Sequence, residues 1–112
     1  KLVATAMLTT FDGDYENYPT LWSENSSYLA IHRISTASDL RNQGIAREMM
    51  EAIYLLAKTQ TIHFLRIDTH LNNKIMRKFL SSFRFIEKEI IKLSMKNNLE
   101  DKERIVYELK VK

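Results

Sequence analysis

The stretch HRISTASDLRNQGIAREMMEAI, residues His32–Ile53, decides the fold. It begins as a strand, passes through a polar turn that contains Gly44, and continues with apolar residues at the three- and four-residue steps of a helix. The first N–H groups of a helix have no internal acceptor and the helix dipole adds partial positive charge, so this arrangement suits an anion. Gly44 would let an anion approach the backbone without a Cβ in the way, and Arg41 and Arg47 would add charge.

The same turn has a plainer interpretation. It lacks the Gly-Lys-Ser/Thr ending of a P-loop and the triple-glycine spacing of a dinucleotide-binding turn. A single glycine before a helix is more often an ordinary turn, as we expect for Gly13, the other glycine of the chain, in FDGD. Spacing alone therefore leaves both a phosphate site and a plain turn open.

Outward from this stretch, the chain alternates between strand-like and helical segments. Strand patterns occupy Leu2–Phe11, Tyr28–Thr36 and His63–Thr69, and a second helix follows Asn72 or Asn73 as its N-cap. Two alternating segments separated by KNNLEDK end the chain as a hairpin. The strand–helix–strand order predicts a parallel pair joined by a right-handed crossover, hence an α/β or α+β fold with a mixed sheet.

Alternation along the second strand predicts which side chains share a face. Leu29 and Ile31 are expected on one face of the sheet, and the other face should carry Ala30, His32, Ile34 and Thr36.

Composition limits the function classes. With 112 residues the chain is a single domain, 1–112, and the absence of cysteine excludes disulfides, thiolate zinc sites and cysteine nucleophiles. The net charge is only +3 and the basic residues are scattered, which gives little reason to expect a nucleic-acid partner.

Three histidines without close pairing predict no metal site, and no apolar run approaches the roughly 20 residues of a membrane span. We expect a cytoplasmic protein with no membrane partner.

The segment Arg41-Asn42-Gln43-Gly44-Ile45-Ala46 resembles the acetyl-CoA-binding motif Arg/Gln-x-x-Gly-x-Gly/Ala of the GCN5-related N-acetyltransferase (GNAT) superfamily. The preceding strand IHRIST, the later RIDTH, the NN that opens the next helix and the closing hairpin follow in the family's order. The resemblance implies a mixed sheet with helices on both faces, in which strands Tyr28–Thr36 and His63–Thr69 splay apart around acetyl-CoA. It also implies that the family's N-terminal strand and helices are missing, since the chain starts about at the family's third strand.

The resemblance assigns the acetyl-CoA contacts residue by residue. Backbone of the first splayed strand would pair with the pantetheine arm, backbone amides of the following turn would cradle the pyrophosphate, and the helix-start Asn73 would bind the pantetheine. The full set is Ile34, Ser35, Thr36, Arg41, Asn42, Gln43, Gly44, Ile45, Ala46, Arg47, Asn73, Met76 and Phe79.

The catalytic half of the family pattern matches less well. Leu80 stands where the family often has a tyrosine acid, Ala30 where some members have a glutamate base, and Arg84 where a glycine often precedes the final phenylalanine. The remaining candidates for proton transfer are His32, His70 and Asp68, each of which could instead be structural.

The resemblance thus implies an N-acetyltransferase that uses acetyl-CoA and a primary amine of a small molecule or peptide. Two alternatives are a catalytically impaired acyl-CoA-binding or structural remnant of the family, and a basic nucleic-acid-binding domain. An uncovered sheet edge would also favour self-association, with a homodimer as its simplest form.

Overall fold

The computed structural model describes residues 4–36, 43–93 and 103–111 of the chain. Five strands and three helices alternate in the order β1 (Ala4–Thr9), α1 (Gly13–Glu16), β2 (Tyr28–Thr36), α2 (Gln43–Thr59), β3 (Phe64–Thr69), α3 (Lys74–Ser82), β4 (Ile86–Lys92) and β5 (Glu103–Lys110). The predicted order of the strands and of the two longer helices is confirmed, and α1 adds one helical turn between β1 and β2. None of these helices combines the length and apolar composition that crossing a bilayer takes.

The strands form one mixed sheet in the order β1-β2-β3-β5-β4. β2 and β3 are parallel, as the intervening α2 predicts, and all other neighbours are antiparallel. The mixed α/β class expected from the sequence is therefore confirmed.

β2 and β3 pair only over their first four residues, from Tyr28 opposite Phe64 to Ile31 opposite Ile67. Beyond this point β2 continues against β1, while Asp68 and Thr69 of β3 pair with β5. The two parallel strands therefore diverge towards their carboxyl ends, as the family resemblance implies.

A bulge in β2 changes the predicted alternation. Arg33 has a φ of 56°, and the single residue between Thr5 and Met7 of β1 lies opposite two residues, Arg33 and Ile34, between His32 and Ser35 of β2. Because of the extra residue, Ile34 packs in the same core cluster as Leu29 and Ile31. The prediction that Ile34 shares a face with His32 is wrong, since alternation counts residues and a bulge inserts one.

The two faces of the sheet are covered differently. α2 and α3 both pack on one face, where Met50, Ile53 and Leu80 meet the core side chains of β2, β3 and β5. The opposite face is covered by the single turn of α1 and the segment after it, through Tyr15 and Trp22. Helices thus lie on both faces, although only one turn lies on the second.

A buried ion pair holds this second layer in place. Arg66 donates from Nε to Oε2 of Glu108 at 3.0 Å, and both residues are only 3% exposed. The guanidinium lies 4.5 Å from the ring centroid of Trp22, and Glu108 accepts a 2.7 Å bond from the Ser23 hydroxyl. The segment that follows α1 is therefore fixed to the middle of the sheet.

Candidate active site

A cavity of about 250 Å³ opens where β2 and β3 diverge. Its walls come from both strand ends, the start of α3 and the start of β5, and the lining residues are Ile31, Arg33, Ile34, Ile67, Asp68, Thr69, His70, Asn73, Met76 and Arg104. Five predicted site residues meet here: Ile34, Asp68, His70, Asn73 and Met76.

The edge of β2 that faces this cavity is not engaged by β3. Pairing between the two strands ends at Ile31, yet β2 runs on to Thr36. The backbone of Ile34, Ser35 and Thr36 can therefore offer hydrogen bonds to an extended ligand, as an edge strand does to a peptide.

Nothing in the described part of the chain explains the glycine at position 44. Gly44 does not adopt a positive φ, and among the described residues no heavy atom lies within 4 Å of a Cβ built on it. The residue is exposed at the start of α2, where backbone N–H groups lack intrahelical acceptors. Among the described residues nothing occupies the space beside Gly44, so its backbone is open to a close approach on that side.

The predicted pyrophosphate turn is only partly described. Arg41 and Asn42 lie outside the described residues, and only the backbone of Gln43 is placed. Ile45 and Ala46 are half-buried, and Ala46 packs against the main core cluster.

The Arg47 side chain is directed towards the end of α3. Its Nη2 donates to the Ser82 hydroxyl at 3.0 Å, and its guanidinium carbon lies 5.3 Å from the centroid of Phe83. Arg47, Ser82 and Phe83 all line a larger cavity of about 570 Å³, together with Glu51, Tyr54, Leu55, Arg84, Leu109 and Lys110. Three of its lining residues are cationic and one is acidic, so this cavity suits an anionic ligand.

Asp68 is held at the end of β3 by contacts from two other segments. Its Oδ2 accepts a 2.7 Å bond from the Tyr15 hydroxyl, and its Oδ1 lies 4.0 Å from Nε of Arg104. Burial raises the pKa of Asp68, while the Tyr15 hydrogen bond acts in the opposite direction. Burial and the neighbouring Asp68 also raise the pKa of Tyr15 well above its ordinary value, so Tyr15 is the donor.

His32 stands on the α1 face of β2, outside the lining of the smaller cavity. Its Nε2 lies 2.9 Å from Oδ2 of Asp12, and its ring centroid is 6.2 Å from that of Tyr15. In the neutral ring, Nε2 carries the hydrogen that the carboxylate accepts, which leaves the lone pair of Nδ1 free to take a proton.

His70 lies at the cavity but is arranged differently. Its Nδ1 accepts a 3.0 Å bond from the backbone N–H of Asn72. The neutral ring then carries its hydrogen on Nε2, so His70 accepts a proton only by giving up this bond. His70 thus lies at the cavity with its Nδ1 already bonded, whereas His32 lies outside the cavity lining and contacts Asp12 through Nε2.

The start of α3 places Asn73 and Met76 beside the cavity. Asn73 is the N-cap, and its Oδ1 accepts from the backbone N–H of Met76 at 3.1 Å, so the side-chain NH₂ is the group that can meet a ligand. Phe79 is buried in the core beneath Arg47 and does not line the smaller cavity. Leu80 is fully buried and has no ionisable group, so it cannot act as an acid.

Sequence reasoning missed Asp12 and Tyr15, the partners of two candidate catalytic side chains. The stretch FDGD resembles an ordinary turn, although Asp12 stands three residues before Tyr15, the spacing of an N-cap. That spacing predicts the observed bond from the Tyr15 N–H to Oδ1 of Asp12, 3.0 Å long. The contacts with His32 and Asp68 join distant segments and have no local pattern.

Within the described residues, no three histidine or acidic side chains are grouped so as to hold a metal ion.

Comparisons with known proteins agree with this geometry. The family model described as "Acetyltransferase (GNAT) family" matches residues 1–85. No curated protein matches the sequence.

Several solved structures share the fold. A probable acetyltransferase from Staphylococcus epidermidis superposes with a TM-score of 0.75 at 20% identity, over 98% of this chain and 61% of that protein. An N-acetyltransferase from Staphylococcus aureus gives 0.73 at 16% identity, over 97% of this chain and 60% of that one. The ribosomal-protein-S18-alanine N-acetyltransferase from Escherichia coli gives 0.61 at 12% identity, over 96% of this chain and 94% of that one. The chain spans about three-fifths of the length of the two staphylococcal proteins.

At these low identities, the solved structures show a likeness of fold alone. The family model, in contrast, matches the sequence itself over most of its length. With the diverging parallel strands and the glycine at the start of α2, it follows that the chain belongs to the GNAT acetyltransferase family.

Proposed function

We propose that this protein is an acetyl-CoA-dependent N-acetyltransferase whose acceptor is a primary amine of a small molecule or peptide. The observation that carries the proposal is the edge of β2 beyond Ile31, which β3 leaves unpaired beside the cavity lined by Ile34. An extended arm with amide groups fits along that edge, and a phosphate fits at the helix start beside a residue without a side chain.

The larger cavity suits the nucleotide end of the same donor. Arg47, Arg84 and Lys110 supply positive charge there, and the ring of Phe83 offers a surface on which a base can stack. Arg47 belongs to the first turns of α2, so this cavity adjoins the proposed phosphate site.

The reaction joins the amine nitrogen to the acetyl carbon, breaks the carbon–sulfur bond, and yields the amide, the thiol of CoA and one proton. The acceptor enters as an ammonium ion, so a base must remove a proton before the nitrogen can attack. His32 can take that proton on Nδ1, while Asp68 and His70 are constrained by the bonds from Tyr15 and Asn72. Backbone N–H groups of β2 beside the cavity can stabilise the oxyanion.

Calorimetry with acetyl-CoA and a CoA-release assay over a panel of amines and peptides test the proposal. Saturable binding and turnover with at least one amine are expected. His32→Ala should lower the maximal rate by about 100-fold or more while leaving acetyl-CoA affinity nearly unchanged. Absence of acetyl-CoA binding would refute the proposal.

One observation favours a second candidate, an acyl-CoA-binding protein with impaired catalysis. Leu80 replaces the tyrosine acid that the family often has, and it is fully buried. This candidate predicts acetyl-CoA binding without CoA release for any amine in the panel.

The sequence expectations of a cytoplasmic location, a homodimer and no nucleic-acid or membrane partner remain predictions. Sedimentation of the purified protein tests the dimer, and a salt series with DNA and RNA tests the nucleic-acid alternative, because phosphate contacts weaken steeply with salt.

A further inference from the structure

The α1 turn contacts two of the three candidate catalytic side chains, from different strands. Asp12 reaches His32 of β2, and Tyr15 reaches Asp68 of β3. All four side chains lie on the sheet face opposite α2 and α3. α1 therefore lies across the point where the two parallel strands diverge.

The two oxygens of Asp12 have separate tasks. Oδ1 caps α1 by accepting the Tyr15 backbone N–H at 3.0 Å, and Oδ2 lies 2.9 Å from Nε2 of His32. The Asp12 side chain is 13% exposed and that of His32 is 28% exposed, so the pair is partly shielded from water. Because the cap fixes the carboxylate, Asp12 also fixes the position of the imidazole.

Tyr15 extends the same network across the sheet. Its ring is buried against Trp22 and Tyr28, and its hydroxyl donates to Oδ2 of Asp68 at 2.7 Å. A hydrogen-bonded path thus runs from His32 through Asp12 and the first turn of α1 to Asp68. The charged or titratable groups in this set are His32, Asp12, Tyr15 and Asp68, with Arg104 beyond Asp68.

We propose that Asp12 is a positioning residue that holds His32 in the Nε2–H tautomer, so that Nδ1 is the atom that takes the proton of the acceptor ammonium. The inference rests on the proposed acetyltransferase function. In this step the N–H bond of the ammonium breaks, its proton moves to Nδ1, and its electron pair stays on the amine nitrogen. The Asp12 carboxylate stabilises the imidazolium, which later returns the proton to water.

Asp12→Asn tests this assignment with little change to the fold, since asparagine caps a helix about as well as aspartate. The amide oxygen introduced at position 12 would stay on the Tyr15 N–H, which turns the amide NH₂ towards the ring and makes Nε2 an acceptor. Long-range ¹H–¹⁵N NMR correlations of His32 should show the Nε2–H tautomer in the native protein and the Nδ1–H tautomer in the variant.

The same variant should lower kcat by about 100-fold or more, with the KM for acetyl-CoA unchanged within about twofold. Asp14→Asn removes the same charge from the same turn and should leave the His32 tautomer and kcat unchanged. If Asp12→Asn does not fold, Asp12→Ser is the second variant. The serine hydroxyl can still cap α1, but the side chain is too short to reach the His32 ring, so we expect a mixture of tautomers and a lower kcat.

A native ring in the Nδ1–H form, or in a mixture of forms, would overturn the positioning role. An inverted tautomer with an unchanged kcat would overturn the proton transfer through Nδ1. The NMR result does not depend on turnover, so a protein without acetyltransferase activity but with the Nε2–H tautomer would refute the proposed function and leave the positioning intact.

Discussion

At the scale of single residues, neither glycine of the chain adopts a positive φ, whereas Arg33, Thr61 and Arg84 do, with φ of 56°, 57° and 78°. The left-handed region costs a side-chain-bearing residue about 1–2 kcal/mol and costs glycine almost nothing. Conformation therefore explains neither Gly13 nor Gly44. Arg84, in contrast, occupies a position where glycine would avoid this cost.

Gly44→Ala should change stability and affinity in opposite directions. Alanine is favoured over glycine in a helix by about 1 kcal/mol, and the added Cβ meets no heavy atom of the described residues within 4 Å, so the free energy of unfolding should rise or stay level. Acetyl-CoA affinity should fall at least tenfold, because the methyl group blocks the approach to the backbone. Urea denaturation and calorimetry measure the two effects.

Gly13→Ala is the matched control, because its Cβ also meets nothing within 4 Å. It should leave acetyl-CoA affinity unchanged. Equal affinities for Gly44→Ala and the native protein would place the phosphate elsewhere.

Asp68 should make stability depend on pH. Burial raises its pKa in the folded state above the ordinary value of 3.8, so the folded state binds a proton more tightly than the unfolded state. This term favours folding at low pH, fades as the pH rises through the folded-state pKa, and destabilises the protein above it. Asp68→Asn should therefore gain stability relative to the native protein at pH 7 and show less gain near pH 3.

Thermal unfolding across this pH range measures the effect. Glu24→Gln is the control, because it removes a carboxylate that is 56% exposed and should show no such trend. A gain for Asp68→Asn that is the same at every pH would contradict the raised pKa.

At the scale of elements, both long helices end in the same way without glycine. After α2, the N–H of Ile62 bonds the carbonyl of Ala57 and the N–H of Thr61 bonds that of Lys58, at 2.9 and 3.2 Å. After α3, Phe85 and Arg84 bond Leu80 and Ser81 in the same pattern. This is the Schellman motif, whose left-handed position normally takes glycine.

Thr61→Gly should raise the free energy of unfolding by roughly 0.5–1 kcal/mol. Glycine avoids the cost of the left-handed conformation, and its greater conformational entropy in the unfolded chain offsets part of that gain. Activity should not change, because Thr61 lies at the opposite end of α2 from Gly44. Thr59→Gly, inside the same helix, should instead destabilise by up to about 1 kcal/mol. Urea denaturation of both variants makes the comparison, and a loss of stability for Thr61→Gly would contradict the reasoning.

At the scale of the whole molecule, the Arg66–Glu108 pair joins β3, β5 and the segment after α1. Arg66→Met would leave Glu108 buried without its main countercharge, which costs roughly 3–5 kcal/mol. The free energy of unfolding from urea denaturation should fall by that amount.

Lys110→Met is the comparison, because it breaks a 3.7 Å pair with Glu24 whose side chains are 62% and 56% exposed. That change should cost less than about 1 kcal/mol. Similar losses in the two variants would show that burial does not strengthen the Arg66–Glu108 pair.

The sequence by itself determined the order of the elements, the parallel pair of β2 and β3, a helix start beside Gly44 and a cap at Asn72 or Asn73, of which the structure shows Asn73. Such features depend on residues close together in the chain, where side-chain period, capping spacing and crossover handedness act locally. The sequence also indicated the family, from a motif and its neighbours in order.

Only the tertiary structure decided the bulge at Arg33, the position of Ile34, and the contacts of Asp12 with His32 and of Tyr15 with Asp68. Each joins segments that lie apart in the sequence, and their approach depends on strand register and on packing across the whole sheet. A one-residue bulge reverses which face a side chain occupies, and no alternation pattern reveals it. Elements follow from local physics, whereas the partners of catalytic side chains follow from how the elements pack.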